Sequence, residues 1–139
     1  MAGYSGTPLV KKLGIKPGFR VRTTSAPEGY SDLLGTLPAD VTISSSIRSR
    51  IDLWHFFTKS RSELESALPQ MMRGIHADAA IWVSWPKKTS GIPSTVDGDT
   101  IRELALPLGL VDIKICAVDD TWSALKLVIR KELRPSHGV

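Results

Sequence analysis

Residues Ala79–Arg130 read AAIWVSWPKKTSGIPSTVDGDTIRELALPLGLVDIKICAVDDTWSALKLVIR, and the way this stretch parses decides the fold. It divides into a strand, a basic loop, a helix, a strand, a two-residue turn and a strand. Ala79–Val83 is a short apolar run rich in β-formers and bounded by turn residues, the pattern of a buried strand. Its exit, Trp85-Pro86-Lys87-Lys88-Thr89-Ser90-Gly91, is the place where chemistry would sit. Asp97 and Asp99 precede Thr100-Ile101-Arg102-Glu103, whose hydroxyl and carboxylate form the pattern of a capping box, so a helix is predicted to about Leu108 with Gly109 ending it. Leu110–Val118 alternates, with Val111, Ile113, Ile115 and Ala117 on one face. Asp119-Asp120 then suits a hairpin turn, and Thr121–Arg130 returns antiparallel.

Working back toward the amino terminus, three further strands are predicted at Phe19–Thr24, Val41–Ser44 and Ile51–Phe57. Thr7–Gly14 reads as a short helix with Thr7 as cap, Pro8 in the first turn and Gly14 at the left-handed exit. Lys16-Pro17-Gly18 turns the chain into the first strand. Tyr30–Leu34 is a brief helix stopped by Gly35. A second capping box, Ser60-Arg61-Ser62-Glu63, opens a helix in which Leu64, Leu68, Met71, Met72 and Ile75 recur at helical spacing. Pro69 should kink or break it, since an interior proline loses a hydrogen bond and crowds the preceding turn. His76-Ala77-Asp78 reads as a turn, and Lys131–Val139, with Pro135 and Gly138, as a frayed tail.

Strands that alternate with helices and end in a hairpin predict a single α/β domain over residues 1–139. Its architecture is a three-layer Rossmann-like sandwich, a mostly parallel sheet carrying an antiparallel C-terminal hairpin. At 139 residues, 42% hydrophobic and 23% charged, the chain has the composition of a globular domain that buries roughly two-thirds of its unfolded surface. No apolar run approaches a membrane span, and Met1–Gly6 is not followed by the apolar core of a signal peptide. One cysteine, Cys116, excludes an internal disulfide and a cysteine-built zinc site, which fits a reducing, cytoplasmic compartment. Cys116 itself reads as a buried strand residue.

Right-handed crossovers bring the loops after parallel strands to one edge of the sheet, the edge where such sheets bind ligands. That gathers Ser25, Glu28 and Gly29, then Lys59, Arg61 and Ser62, then Lys87, Lys88, Thr89, Ser90 and Gly91. With a formal net charge of +4 and helix amino termini nearby, these residues suggest a small anionic ligand, a phosphate or carboxylate, held by Lys87, Lys88, Ser90 and Arg61. Glu28 and Trp85 complete the set, the latter as a stacking surface. The same lysines and glycines also read as solvated loop positions, and both readings stay open.

Specific motifs fail. There is neither G-x-x-x-x-G-K-[ST] nor a G-x-G-x-x-G after the first strand, and His55, His76 and His137 are too scattered for a metal site. His55 reads as packed, and Trp54, Trp82 and Trp122 as core or sheet-packing residues. No cofactor is specified. Two alternatives are a protein or nucleic-acid interaction module using the basic surface Lys126–Arg134, and a degenerate methyltransferase-like enzyme suggested by the closing hairpin. Nothing interleaves aromatic and basic residues as a nucleic-acid module does, and the missing glycine loop counts against a methyl-donor site.

Five blocks occur together: Lys12–Gly18, Ala26-Pro27-Glu28-Gly29, Trp85-Pro86-Lys87-Lys88, Gly109–Lys114 and Trp122–Lys126. In this order, over nearly the whole chain, they resemble a bacterial family catalogued as domain of unknown function 3052. The chain departs from that pattern at Thr23-Thr24-Ser25 and at Ala124. The family has no characterised activity, so the resemblance implies kinship and carries no catalytic residues.

Overall fold

A computed structural model of the protein describes residues 7–137. The readings made for Met1–Gly6 and for the last two residues fall outside the described residues. In chain order the elements are α1 (Leu9–Leu13), β1 (Arg20–Thr24), α2 (Tyr30–Leu34), β2 (Thr42–Ser44), β3 (Ile51–Phe57), α3 (Arg61–Gly74), β4 (Ile75–Pro86), α4 (Gly98–Ala105), β5 (Leu110–Ala117) and β6 (Trp122–Ile129). Short 3-10 turns follow β4, α4 and β6. The strands form one sheet in the order β2-β1-β3-β4-β6-β5. Strands β1 to β4 are mutually parallel, and β6 runs antiparallel between β4 and β5. This is the three-layer Rossmann-like arrangement predicted from the element order.

Alternation along the central strands divides the core in two. On one face Ile81, Val83 and Trp85 of β4 join Trp54 and Phe56 of β3 under Leu64, Leu68 and Met71 of α3 and Ile101 and Ala105 of α4. On the other, Trp82, Leu53 and Phe57 pack against Leu9, Val10 and Leu13 of α1 and Tyr30 and Leu34 of α2. Strands buried on both faces read as continuous apolar runs, which is why Ala79–Val83 stands out in the sequence.

One crossover is unusual. Parallel strands of one sheet are normally joined through a helix and a dozen or more residues, yet β2 reaches β3, on the far side of β1, through Ser45–Arg50 alone. The segment, made of turns and bends, crosses over β1: Ile47 is buried with the α3 layer, the Ile47 carbonyl accepts from Arg22 Nη1 at 3.1 Å and the Ser49 carbonyl from Arg20 Nε at 3.1 Å. The α3 face of β1 therefore has no helix above it.

Several local expectations are corrected. Helix α3 runs through Pro69 without a break. Leu68 and Met71, both buried, hold the helix to the sheet on either side of the proline, so packing outweighs the missing hydrogen bond. Pro69→Ala is accordingly expected to stabilise the fold by roughly 1–2 kcal/mol, part of the helix cost of proline being offset by a freer unfolded chain; equal or lower stability in urea denaturation would refute this. The capping box at Ser60 is half formed. Ser60 Oγ accepts from Glu63 N, while Glu63 turns to Thr58 Oγ1, which itself accepts from Ser60 N.

Helix α4 is capped one turn earlier than Thr100: Asp97 Oδ1 accepts from both the Thr100 amide and its hydroxyl at 2.9 Å. Helix α1 has Pro8 at its N-cap position, with no side-chain cap bond. His76-Ala77-Asp78 is no turn but the start of β4, with His76 Nε2 2.7 Å from Asp52 Oδ1. Asp112 pairs with Leu127 and Lys114 with Lys126, so Ile113 is the extra residue of a bulge. The alternation read along Leu110–Val118 breaks there, leaving Ile113 56% and Ile115 58% exposed on the edge strand. The tail is ordered as far as described: Lys131–Ser136 forms a 3-10 helix, tied back by Arg134 Nε to the Ile129 carbonyl and by His137 Nε2 to the Ile75 carbonyl.

Candidate functional site

The chain leaves β1 for β2 on one side and returns through β3 on the other, so the strand order reverses between β1 and β3. Loops diverge above such a reversal and leave a crevice at the carboxyl ends of the strands. A cavity of about 320 Å³ occurs there, lined by Ser25 after β1, Phe57, Thr58, Lys59 and Ser60 at the end of β3, Glu63 in the first turn of α3, and Trp122. Trp122 reaches this edge because β6 runs antiparallel to β4, which pairs Trp122 with Pro86.

Each wall has a local cause. Phe57, 1% exposed, meets the Trp122 ring edge-on at 5.2 Å between centroids, giving an apolar side. Thr58 is buried and donates to Glu63 Oε1 at 2.6 Å, fixing the carboxylate beside the cavity. Ser60 faces the same turn as N-cap. Ser25 sits at φ 58°, a left-handed backbone uncommon for a residue with a side chain; it makes the sharp exit from β1 that a glycine would more readily supply.

Behind Phe57 lies a buried polar chain. Tyr30 Oη is 2.7 Å from His55 Nδ1, and His55 Nε2 is 2.7 Å from Ser84 Oγ. The His55 ring stacks on Phe57 at 4.2 Å, and neither His55 nor Ser84 has solvent exposure. Burial lowers the His55 pKa to about 3 and raises that of Tyr30, so at neutral pH both are uncharged hydrogen-bonding groups. His55 is the packed residue the sequence suggested, sealed from the crevice by Phe57.

The residues expected to form one anion cradle are distributed. Lys88 and Trp85 line a separate cavity of about 260 Å³ beneath the loop after β4, together with Ser94, Thr95 and Asp97. Hydrogen bonds from the Thr100 amide and hydroxyl, and then the charge of Lys88, lower the Asp97 pKa. Trp85 is 9% exposed and belongs to the α3 and α4 core. Arg61 pairs with Glu103 across α3 and α4 at 2.6 Å, its amide donating to Thr95 Oγ1. Ser90 donates to the Lys87 carbonyl and accepts from Ile92 N, a turn-forming role. The Lys87 amide donates to the Thr121 carbonyl, bridging the β4 exit to the hairpin. Glu28 is exposed in the turn before α2 and lines neither cavity.

Of the expected edge, Ser25 and Lys59 do meet at the crevice. Phe57, Glu63 and Trp122 read in the sequence only as strand, cap or packing residues, and Thr58 carries no reading there. The available signal was topological: an antiparallel last strand next to β4 must start where the parallel strands end. Cys116 is half-buried on β5, and burial pushes its thiol pKa up, against a thiolate role. Among the described residues no cluster of three or more His, Cys, Asp or Glu side chains could hold a metal ion, and no helix is long and apolar enough to cross a membrane.

Fold and crevice together define a Rossmann-like domain with its open cavity at the topological switch point. Neither a family model nor a curated protein matches the chain. Among solved structures it is similar to a putative methyltransferase from Thermoplasma acidophilum, with TM-score 0.57 at 9% identity over 92% of this chain and 76% of that one. The ribosomal protein L11 methylase from Lactobacillus delbrueckii subsp. bulgaricus gives 0.52 at 11% identity over 88% and 75%. A LepI variant in complex with SAH and a substrate analogue gives 0.51 at 13% identity over 88% of this chain and 39% of that one. Identities this low establish the shared fold alone.

Proposed function

We propose that this chain is a degenerate, methyltransferase-like ligand-binding domain whose ligand enters the crevice between β1 and β3. The observation that carries the reading is the position of that cavity at the strand-order reversal, with Trp122 and Phe57 on one side and the Glu63 carboxylate on the other. A flat ring would lie against Trp122, and hydroxyl or amino groups would donate to Glu63. The degeneracy lies on the β1 and β2 side. No glycine follows β1 until Gly29, and β2 ends in Ser44, where dinucleotide-binding sheets carry a carboxylate for the ribose about 20 residues beyond the first turn. The scaffold is thus kept without the standard ligands for phosphate and ribose. Kinship with the family of domain of unknown function 3052 belongs to the same proposal.

A thermal-shift series with S-adenosylmethionine, S-adenosylhomocysteine, adenosine and ATP tests it. Stabilisation by an adenosyl compound is expected, with affinity falling about tenfold in Trp122→Ala, the scale of one lost stacked ring. No shift with any of the four, or a shift that Trp122→Ala and Glu63→Gln leave unaltered, would remove the reading. Saturation at a hundred times Kd adds about 2.7 kcal/mol, well within detection.

The anion reading has its own support in the second cavity, where the Lys88 side chain and the Ser94 and Thr95 hydroxyls stand beside Trp85. Asp97 in the same lining opposes an anion. Stabilisation by ATP alone, abolished in Lys87→Ala/Lys88→Ala and retained in Trp122→Ala, would favour this second reading over the first.

A further inference from the structure

The missing crossover helix leaves a cavity of about 360 Å³ on the α3 flank of the sheet, and none of its lining residues lines the β1/β3 crevice. Its polar lining is cationic: Arg22 from β1 and Arg48 from the short crossover, with Thr24 and Gln70 and no carboxylate. We propose that this cavity binds a small molecule bearing an oxyanionic group, a phosphate or carboxylate on a compact, partly apolar body, with Arg22 as its principal ligand.

The state of Arg22 motivates this. Its guanidinium carbon lies 4.2 Å from the centroid of the Trp54 ring, and Nη1 donates to the Ile47 carbonyl. Nε is buried with no hydrogen-bond partner. Neither Arg22 nor Arg48 takes part in a salt bridge among the described residues. A partly buried guanidinium with an orphaned N–H and no counter-charge is a costly arrangement. An oxyanion supplies the counter-charge, and also the acceptor once the guanidinium turns its buried Nε outward; the planar arginine fork matches it in bidentate fashion. One hydrogen bond and one stacking contact leave the fork free to pivot over the indole toward such a group.

The rest of the cavity is built to receive it. Thr24 Oγ1 accepts from Trp54 Nε1 at 2.9 Å, which leaves the Thr24 hydroxyl proton available to donate. Gly74 lies close against the Trp54 ring, where an added Cβ would stand 3.0 Å away, so a larger residue there would crowd the ring. Arg48 is exposed at the rim, suited to draw an anion in. Trp54, Phe56, Ile51 and Met71 provide apolar wall for the remainder of the ligand.

Calorimetric titration with phenyl phosphate, and with inorganic phosphate as the probe lacking a ring, tests the proposal. Phenyl phosphate is expected to bind with Kd at or below about 1 mM, inorganic phosphate more weakly. Arg22→Met should weaken phenyl phosphate about tenfold or more, Arg22→Lys less, because charge survives while the fork is lost. Arg48→Ala should cost about threefold at the rim, and Trp122→Ala, at the other site, should change nothing. Absence of binding to about 10 mM, unchanged affinity in Arg22→Met, or an equal loss in Trp122→Ala would overturn the assignment. If Arg22→Met does not fold, Arg48→Ala decides, and unaltered affinity there overturns it.

Discussion

Acidification from pH 7 to pH 4 is expected to strip roughly 3 kcal/mol from the stability of this protein through His55 alone. The unfolded imidazole titrates near 6.5, whereas burial between Tyr30, Phe57 and Ser84 lowers it to about 3 in the fold. Between those values the unfolded chain binds a proton that the native chain refuses, so stability rises with pH through the window. It is fully present above about 6.5 and lost progressively as the pH falls toward 3, at about 1.4 kcal/mol per pH unit. The carboxylates act lower down. Asp97 and Asp112 are held below the usual range by hydrogen bonds from Thr100 and Arg102, so their contribution is lost only as pH falls through the acidic end. Urea denaturation at pH 7, 5.5 and 4.5 separates the two regimes. His55→Gln, neutral at every pH and able to reach both hydroxyls, should flatten the upper part of the profile; an unchanged slope in that variant would show that the imidazole is not responsible.

Trp82→Ala should cost about 3–5 kcal/mol, the range for deleting a large aromatic from a core. Trp82 has no exposed surface and occupies the middle of β4, between β3 and β6. Its Nε1 donates to the Leu13 carbonyl at 3.0 Å, one of the carbonyls left over at the end of the five-residue α1. Loss of the ring therefore opens a cavity and orphans the group that ties α1 to the sheet. Domains of this size hold roughly 5–15 kcal/mol in total, so the variant should fold marginally. Trp82→Phe keeps most of the volume and loses the donor, and about 1–2 kcal/mol is expected. Equilibrium unfolding of both variants checks this. A Trp82→Ala protein within about 1 kcal/mol of the parent would contradict the packing described.

The switch-point crevice lies where the fold makes any such sheet concave. The Arg22 cavity lies beside the six-residue crossover from β2 to β3, which is too short to hold a helix of any length. The two cavities differ in lining, one aromatic with both Lys59 and Glu63 and one aromatic with Arg22 and Arg48 and no carboxylate, so ligand screens should be read against both.

Strand and helix identity was open to reading wherever burial imposes a period. Tyr30–Leu34 and Ile51–Phe57 have the bounds their patterns indicate, and the three-layer class follows from alternating elements closed by a hairpin at Asp119-Asp120. Two features resisted for local reasons: an inserted Ile113 reverses the alternation without changing composition, and Asp97 competes with Thr100 for the same helix start. Pro69 resisted for a tertiary one, because a helix pinned by Leu68 and Met71 tolerates what an isolated helix would not.

What the chain determined by itself was most of its strands and helices, its fold class and the edge to which the loops after parallel strands come, because these follow from nearest-neighbour periodicity and from the handedness of crossovers. Which side chains meet at that edge was decided by tertiary structure. Arg61 is drawn to Glu103 and Lys88 shares its cavity with Asp97, while Trp122, 97 positions after Ser25 in the numbering, closes the crevice because an antiparallel strand begins where its parallel neighbours end. The pairing of charges and the register of distant strands depend on separations in space, and linear order does not encode those until the sheet has formed.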